Sequence, residues 1–182
     1  MSEHPQFTRG PERSVHKGHV FELVVGEFVA PDGEQFQRDL VHHPGAVSAL
    51  PVDGDHAILV RQYRPALDLH LLEIPAGLRD VAGEPPEKTA VRELEEEIGM
   101  VPGRIEQLCR CYVAPGFSDE EIVIYLATDL RPTEVRAHGP EERHMTIERV
   151  HLDDVESLIA SGALIDAKTI VGLLLAKQRL GR

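Results

Sequence analysis

The chain has 182 residues, 42% of them apolar and 27% charged, a balance that suits one soluble globular domain with a sizeable core and at most a small accessory piece. Its formal charge of −12 argues against nucleic acid or an anionic membrane as a partner. The longest apolar stretch, around Ile170 to Ala176, is far too short to cross a bilayer.

The opening Met1-Ser2-Glu3-His4-Pro5 lacks a charged-then-apolar leader, so no export signal is expected. Residues 1 to about 15 are polar and expected to fray. His19 to Val29, rich in Val, Phe and Leu, reads as a strand, and Gln35 to His42 as a second. Pro31-Asp32-Gly33 between them is a turn signal, so a hairpin is expected. Ala46 to Val52 and His56 to Arg64 are strands around Asp53-Gly54-Asp55. Leu71 to Ile74 is a short strand feeding a loop at Pro75-Ala76-Gly77. Pro85-Pro86 suit a helix start, and Gly99 suits its end.

Ile105 to Val113, Glu121 to Thr128 and Met145 to Leu152 read as strands, and Asp153 to Ala160 and Asp166 to Leu180 as helices. This order predicts an α/β fold, a mixed sheet between helices. The segment before residue 45 is not needed to complete that sandwich. The expected division is therefore an N-terminal β segment, 1–44, and a main domain, 45–182. Cys109 and Cys111 lie two apart on one face of an expected strand. That spacing suits neither a disulfide framework nor a metal pair, and points to reduced thiols in a cytoplasm.

The most informative run is Arg92-Glu93-Leu94-Glu95-Glu96-Glu97-Ile98-Gly99. On a helix, Glu93 and Glu97 are i,i+4 neighbours with Glu96 alongside, and like charges so placed cost about 0.2–0.5 kcal/mol per pair. A hard divalent cation such as Mg²⁺ or Mn²⁺ reverses the sign of that cost. The opposite face, Ala90, Val91, Leu94 and Ile98, is an apolar stripe that can dock on a sheet. A solvated acidic helix is the plainer alternative, since charge runs are commonly just that.

Gly77, Glu84 and the run Arg92-Glu93-Leu94-x-Glu96-Glu97-x-Gly99-Met100 resemble the signature of the Nudix hydrolases, which cleave a nucleoside diphosphate linked to another moiety. Six residues separate Gly77 from Glu84, one more than in the common form, and Gly83 is the residue able to absorb the extra one. The resemblance implies a Nudix-type α/β/α sandwich. It also resolves a conflict of charge, because metal ions can carry a pyrophosphate into a carboxylate site of a protein this acidic.

Further motifs resemble one branch, the ADP-ribose and nucleoside-diphosphate-sugar pyrophosphatases. They are Gln62-Tyr63-Arg64-Pro65 with Leu72-Glu73-Ile74-Pro75-Ala76-Gly77, and the loop Ala114-Pro115-Gly116-Phe117-Ser118-Asp119-Glu120. Arg64 at a strand end is suited to clamp a phosphate oxygen, or else closes the Pro65 turn at the surface; Glu73 pairs locally or touches substrate. The resemblance places Gly116, Phe117, Ser118 and Glu120 beside the terminal ribose and the metal. Phe117 either stacks on a base or fills a core gap, and packing is the commoner fate. Arg38 to Val47 resembles that branch's junction pattern, which implies that the N-terminal strands form a small antiparallel sheet mediating a homodimer; the plainer reading is a hairpin packed on its own domain.

The resemblance further implies hydrolysis of ADP-ribose to AMP and ribose 5-phosphate with Mg²⁺, Mn²⁺ being the alternative ion. Glu93, Glu96 and Glu97 are the implied metal ligands, with the Ala76 carbonyl a fourth. The family often places its base in the loop Gly139-Pro140-Glu141-Glu142-Arg143-His144-Met145, where Glu142 is the first choice, Glu141 the second, and His144 a competitor that titrates near neutrality. Arg92 is expected to hold Glu96 or the loop at Gly77, and Glu84 to pair with Arg92 or cap the helix. His42 and His43 read as strand-end residues. The rival readings are another nucleoside-diphosphate sugar, a dinucleotide or a nucleoside triphosphate as substrate, a non-catalytic nucleotide sensor, and an isomerase relying on Cys109 or Cys111.

Overall fold

The computed structural model describes residues 5–134 and 143–182. They form two compact units, one of residues up to Gly45 together with Cys111–Glu121, the other of Ala46–Arg110 with Ile122–Arg182. In the first unit β1 (Thr8–Lys17), β2 (Glu22–Val29) and β3 (Gln35–His42) make an antiparallel sheet in that order. The expected hairpin joins β2 to β3: the Gly33 amide donates to the Ala30 carbonyl at 2.9 Å, with Gly33 at φ 91°. Phe28 and Phe36 lie opposite each other in register and stack at 5.4 Å.

The expected fraying of the first 15 residues is corrected by β1, which pairs with β2 from Thr8 opposite Val29 to Lys17 opposite Glu22. Every residue of β1 is exposed. The strand is therefore held chiefly by backbone groups, which composition does not reveal. The 111–121 segment, read from sequence with the main domain, joins this first unit through its backbone. The Val41 amide donates to Phe117 O at 2.8 Å, and the Asp119 amide to Val41 O at 3.2 Å.

The second unit carries β4 (Ala46–Asp53), β5 (His56–Arg64), β6 (Leu69–Glu73), β7 (Ala76–Leu78), α1 (Pro86–Ile98), β8 (Met100–Tyr112), β9 (Glu121–Pro132), β10 (Thr146–His151), α2 (Val155–Ala160) and α3 (Ala167–Leu180). The sheet order is β10-β5-β4-β9-β8, with β6 on β5 and β7 on β4. β4 runs parallel to β9 and antiparallel to β5 and β7, so the sheet is mixed as expected. β8 and β9 outrun the predicted apolar stretches at Met100 and Pro132, because strand pairing continues through polar residues.

Alternation along β4 and β9 feeds two helical layers. Val47, Ala49, Val123, Tyr125 and Ala127 share one buried cluster with Ala90, Leu94 and Ile98 of α1. Ile124 points the other way, toward α3. There a Cβ on Gly172 would stand 3.3 Å from Ile124 Cγ2 and 3.2 Å from Ile74 Cδ1, a helix seated closely on the sheet. The result is an α/β/α sandwich.

Candidate active site

Two predicted punctuation marks define the acidic helix. Pro86 opens α1, and Gly99, at φ 62°, closes it with its amide on Glu95 O. The loop before it turns out to include a short strand, β7, pairing Ala76 with Ser48 and Gly77 with Val47. That pairing holds the loop backbone against α1. The Ala76 amide donates to Glu97 Oε2 at 3.2 Å, and Glu97 is only 5% exposed. Glu93 lies so close that a Cβ on Gly77 would fall 2.0 Å from its Cδ. Gly77 is therefore required for close approach, a reason the spacing alone did not state.

Between Gly77 and Glu84 the loop makes a turn in which the Glu84 amide donates to Val81 O at 3.1 Å, with Gly83 at φ 78°. Glu84 then accepts from Thr89 Oγ1 at 2.8 Å and faces Arg92 Nη2 at 3.5 Å. Arg92 Nη1 also meets Glu93 Oε1 at 2.8 Å and Glu96 Oε2 at 3.1 Å. Burial works against the Arg92 charge, but Glu93, Glu96 and Glu84 outweigh it and hold the guanidinium pKa above its ordinary value. Arg92 thus makes the expected contacts with Glu96 and Glu84, and one with Glu93 besides.

Among the described residues no three His, Cys, Asp or Glu side chains converge into a finished metal cage. The donor chemistry nevertheless fits a hard divalent cation, because Glu93, Glu96 and Glu97 offer carboxylate oxygens from one side of α1. A cationic nitrogen, Arg92 Nη1, already bridges two of them.

Arg64 is engaged locally. Its Nε donates to Glu73 Oε1 at 2.7 Å and its Nη2 to Glu73 Oε2 at 2.6 Å, a bidentate pair with a carboxylate that is 1% exposed. Lys168 Nζ closes on the same Glu73 Oε2 and on Asp166 Oδ1 at 3.0 Å. Asp166 caps α3 by accepting from the Thr169 amide at 3.0 Å, while Thr169 Oγ1 accepts from the Ile74 amide at 2.8 Å. Burial pushes the Glu73 pKa up, but Arg64 and Lys168 prevail and hold it below 4.5. Of the two sequence readings of Glu73, local pairing is the one observed. Lys168, Asp166 and Thr169 were missed, since a partner 95 residues away leaves no local signal.

In the first unit, Gly116 lies in the turn closed by the Phe117 amide on Ala114 O at 3.1 Å, and the Glu120 amide donates to Ser118 Oγ at 3.1 Å. The expectation that Phe117 packs in a core is corrected: it is 57% exposed, because its carbonyl is tied to β3 and its side chain is left outside. His42 does end its strand, but its ring bonds Asp119 Oδ2 at 2.6 Å and Glu12 Oε2 at 2.9 Å. Asp119 first, then Glu12, raise its pKa above 6.5. His144 is exposed. Glu141 and Glu142, the two base candidates, lie outside the described residues.

The chain is similar to several known proteins. The NUDIX domain family matches residues 42–171. The ADP-ribose pyrophosphatase of Bacillus subtilis (strain 168) is 37% identical over 159 residues, spanning 87% of this chain and 85% of that protein. The ADP-ribose pyrophosphatase of Mycobacterium tuberculosis is 38% identical over 175 residues, spanning 96% and 84%. A crystal structure of an ADP compounds hydrolase superposes with a TM-score of 0.87 over 99% of this chain and 97% of that one, at 24% identity, and so shares the fold.

Proposed function

The chain belongs to the Nudix family of hydrolases, enzymes that generally use a divalent metal, and we propose that its reaction is the hydrolysis of ADP-ribose to AMP and ribose 5-phosphate. The observation that carries the reading is the junction of Glu93 with Gly77 and of Glu97 with the Ala76 amide, which joins the two halves of the signature in one place. Relatives 37% and 38% identical that are ADP-ribose pyrophosphatases supply the choice of substrate.

Glu93, Glu96, Glu97 and the Ala76 carbonyl would hold Mg²⁺, or Mn²⁺, which when bound offsets charge on the pyrophosphate and lowers the pKa of water. Arg64 holds a phosphate oxygen through the part of its guanidinium that Glu73 does not occupy. Gly116, Phe117, Ser118 and Glu120 contact the terminal ribose. Water oxygen adds to one phosphorus as the bridging P–O bond breaks, and Glu142, or failing it Glu141, takes the proton. Residues 1–44 mediate a homodimer, and the enzyme works in the cytoplasm.

Product chromatography after incubation with ADP-ribose, with and without Mg²⁺, tests the reading. AMP is expected only with metal. Its absence with both Mg²⁺ and Mn²⁺ removes ADP-ribose as the substrate and leaves the nucleoside-diphosphate sugars and dinucleotides to be tried.

A further inference from the structure

The Glu73 cluster is more elaborate than fold stability requires. Glu73 is 1% exposed and meets two cations, one from the end of β5 and one from the start of α3. A buried ion pair is weak support for stability, since apolar residues of similar volume commonly do as well. What the cluster does achieve is placement. Arg64 is caught through Nε and Nη2, its side chain stays 39% exposed, and Glu97 is near enough to add to its pKa rise. Nη1 takes no part in the Glu73 pair and remains for another oxyanion.

Lys168 completes the arrangement. With its charge on Glu73 Oε2, the carboxylate stays ionised and oriented, and Asp166 and Thr169 hold Lys168 and Ile74 to the same helix start. We propose that Lys168, acting through Glu73, is a positioning residue that aims Arg64 at a substrate phosphate. The inference rests on the ADP-ribose reading. It goes beyond that reading by giving the C-terminal helix a share in substrate affinity.

A double-mutant cycle tests it: K168M, R64A and the pair, with K168R as the conservative variant. KM and kcat for ADP-ribose are read at saturating Mg²⁺, and binding of ADP-ribose by calorimetry in EDTA. K168M should raise KM about tenfold with kcat nearly unchanged, the pattern of lost uniform binding, and K168R should restore most of it. In the R64A background K168M should change KM by less than about twofold, because its path runs through Arg64. An equal penalty in both backgrounds, or none in the presence of Arg64, overturns the inference while the function stands. A parent protein that neither turns over nor binds ADP-ribose overturns both. Thermal melts accompany each variant. If K168M does not fold, K168R and K168Q carry the same cycle.

Discussion

Two acidic gatherings in the second unit are built on opposite principles. Around α1, Glu84, Glu93 and Glu96 all meet Arg92, and Glu97 accepts from a backbone amide. At the foot of α3, Glu73 and Asp166 are matched by Arg64 and Lys168, two against two. The first gathers carboxylates from one helix and the loop before it. The second is neutral and locked. The first is drawn from one stretch of chain, whereas the second is assembled from β5, β6 and α3 and forms only on packing.

The largest effect expected from disturbing this contrast is at Glu97. Glu97→Gln should keep the fold and lower turnover by about 100-fold or more, as loss of a metal ligand does. Circular dichroism beside kcat for ADP-ribose checks it, and retained turnover removes Glu97 from the site. Next comes Gly77→Ala. Its methyl must displace the Glu93 carboxylate, a movable side chain, so melting should change little while activity falls about 10–100-fold. A large drop in melting temperature with normal specific activity would instead make Gly77 a purely structural glycine.

The balanced cluster should respond through stability. Glu73 has a folded-state pKa below 4.5, so its contribution is present above that value and lost as pH falls through the folded pKa. Glu73→Gln should cost roughly 2–3 kcal/mol at neutral pH, below the ~3–5 kcal/mol of a broken buried pair because Arg64 is part-exposed. It should also flatten the stability profile below about pH 4.5, measured by denaturant melts across pH. An unchanged acid limb would mean that other carboxylates dominate it. The smallest effect belongs to the first unit. His42 is raised above 6.5 by Asp119 and by Glu12, itself paired with Arg9, so the clamp is complete below that pH and fades as pH rises through the raised value. In His42→Gln, protection factors of the amides at residues 117–119, exchange rates corrected for the intrinsic base-catalysed rate, should no longer depend on pH in that window. Persistence of the dependence would assign it to another group.

Local chemistry in the chain was enough to find α1, its proline start and glycine end, the hairpin at Pro31-Asp32-Gly33, and the carboxylates that make up its acidic face, because each is written within a few neighbouring residues. Composition misjudged β1, whose ladder is a backbone property, and Phe117, whose exposure follows from hydrogen bonds of its own backbone. Only the tertiary structure decided that Gly77 must be bare to admit Glu93, that Arg64 meets Glu73 through Nε and Nη2, and that Lys168 stands behind both. Periodicity and capping act over one or two turns of chain. A close approach or a charge pair between residues 95 apart exists only once the sheet and its helices have packed.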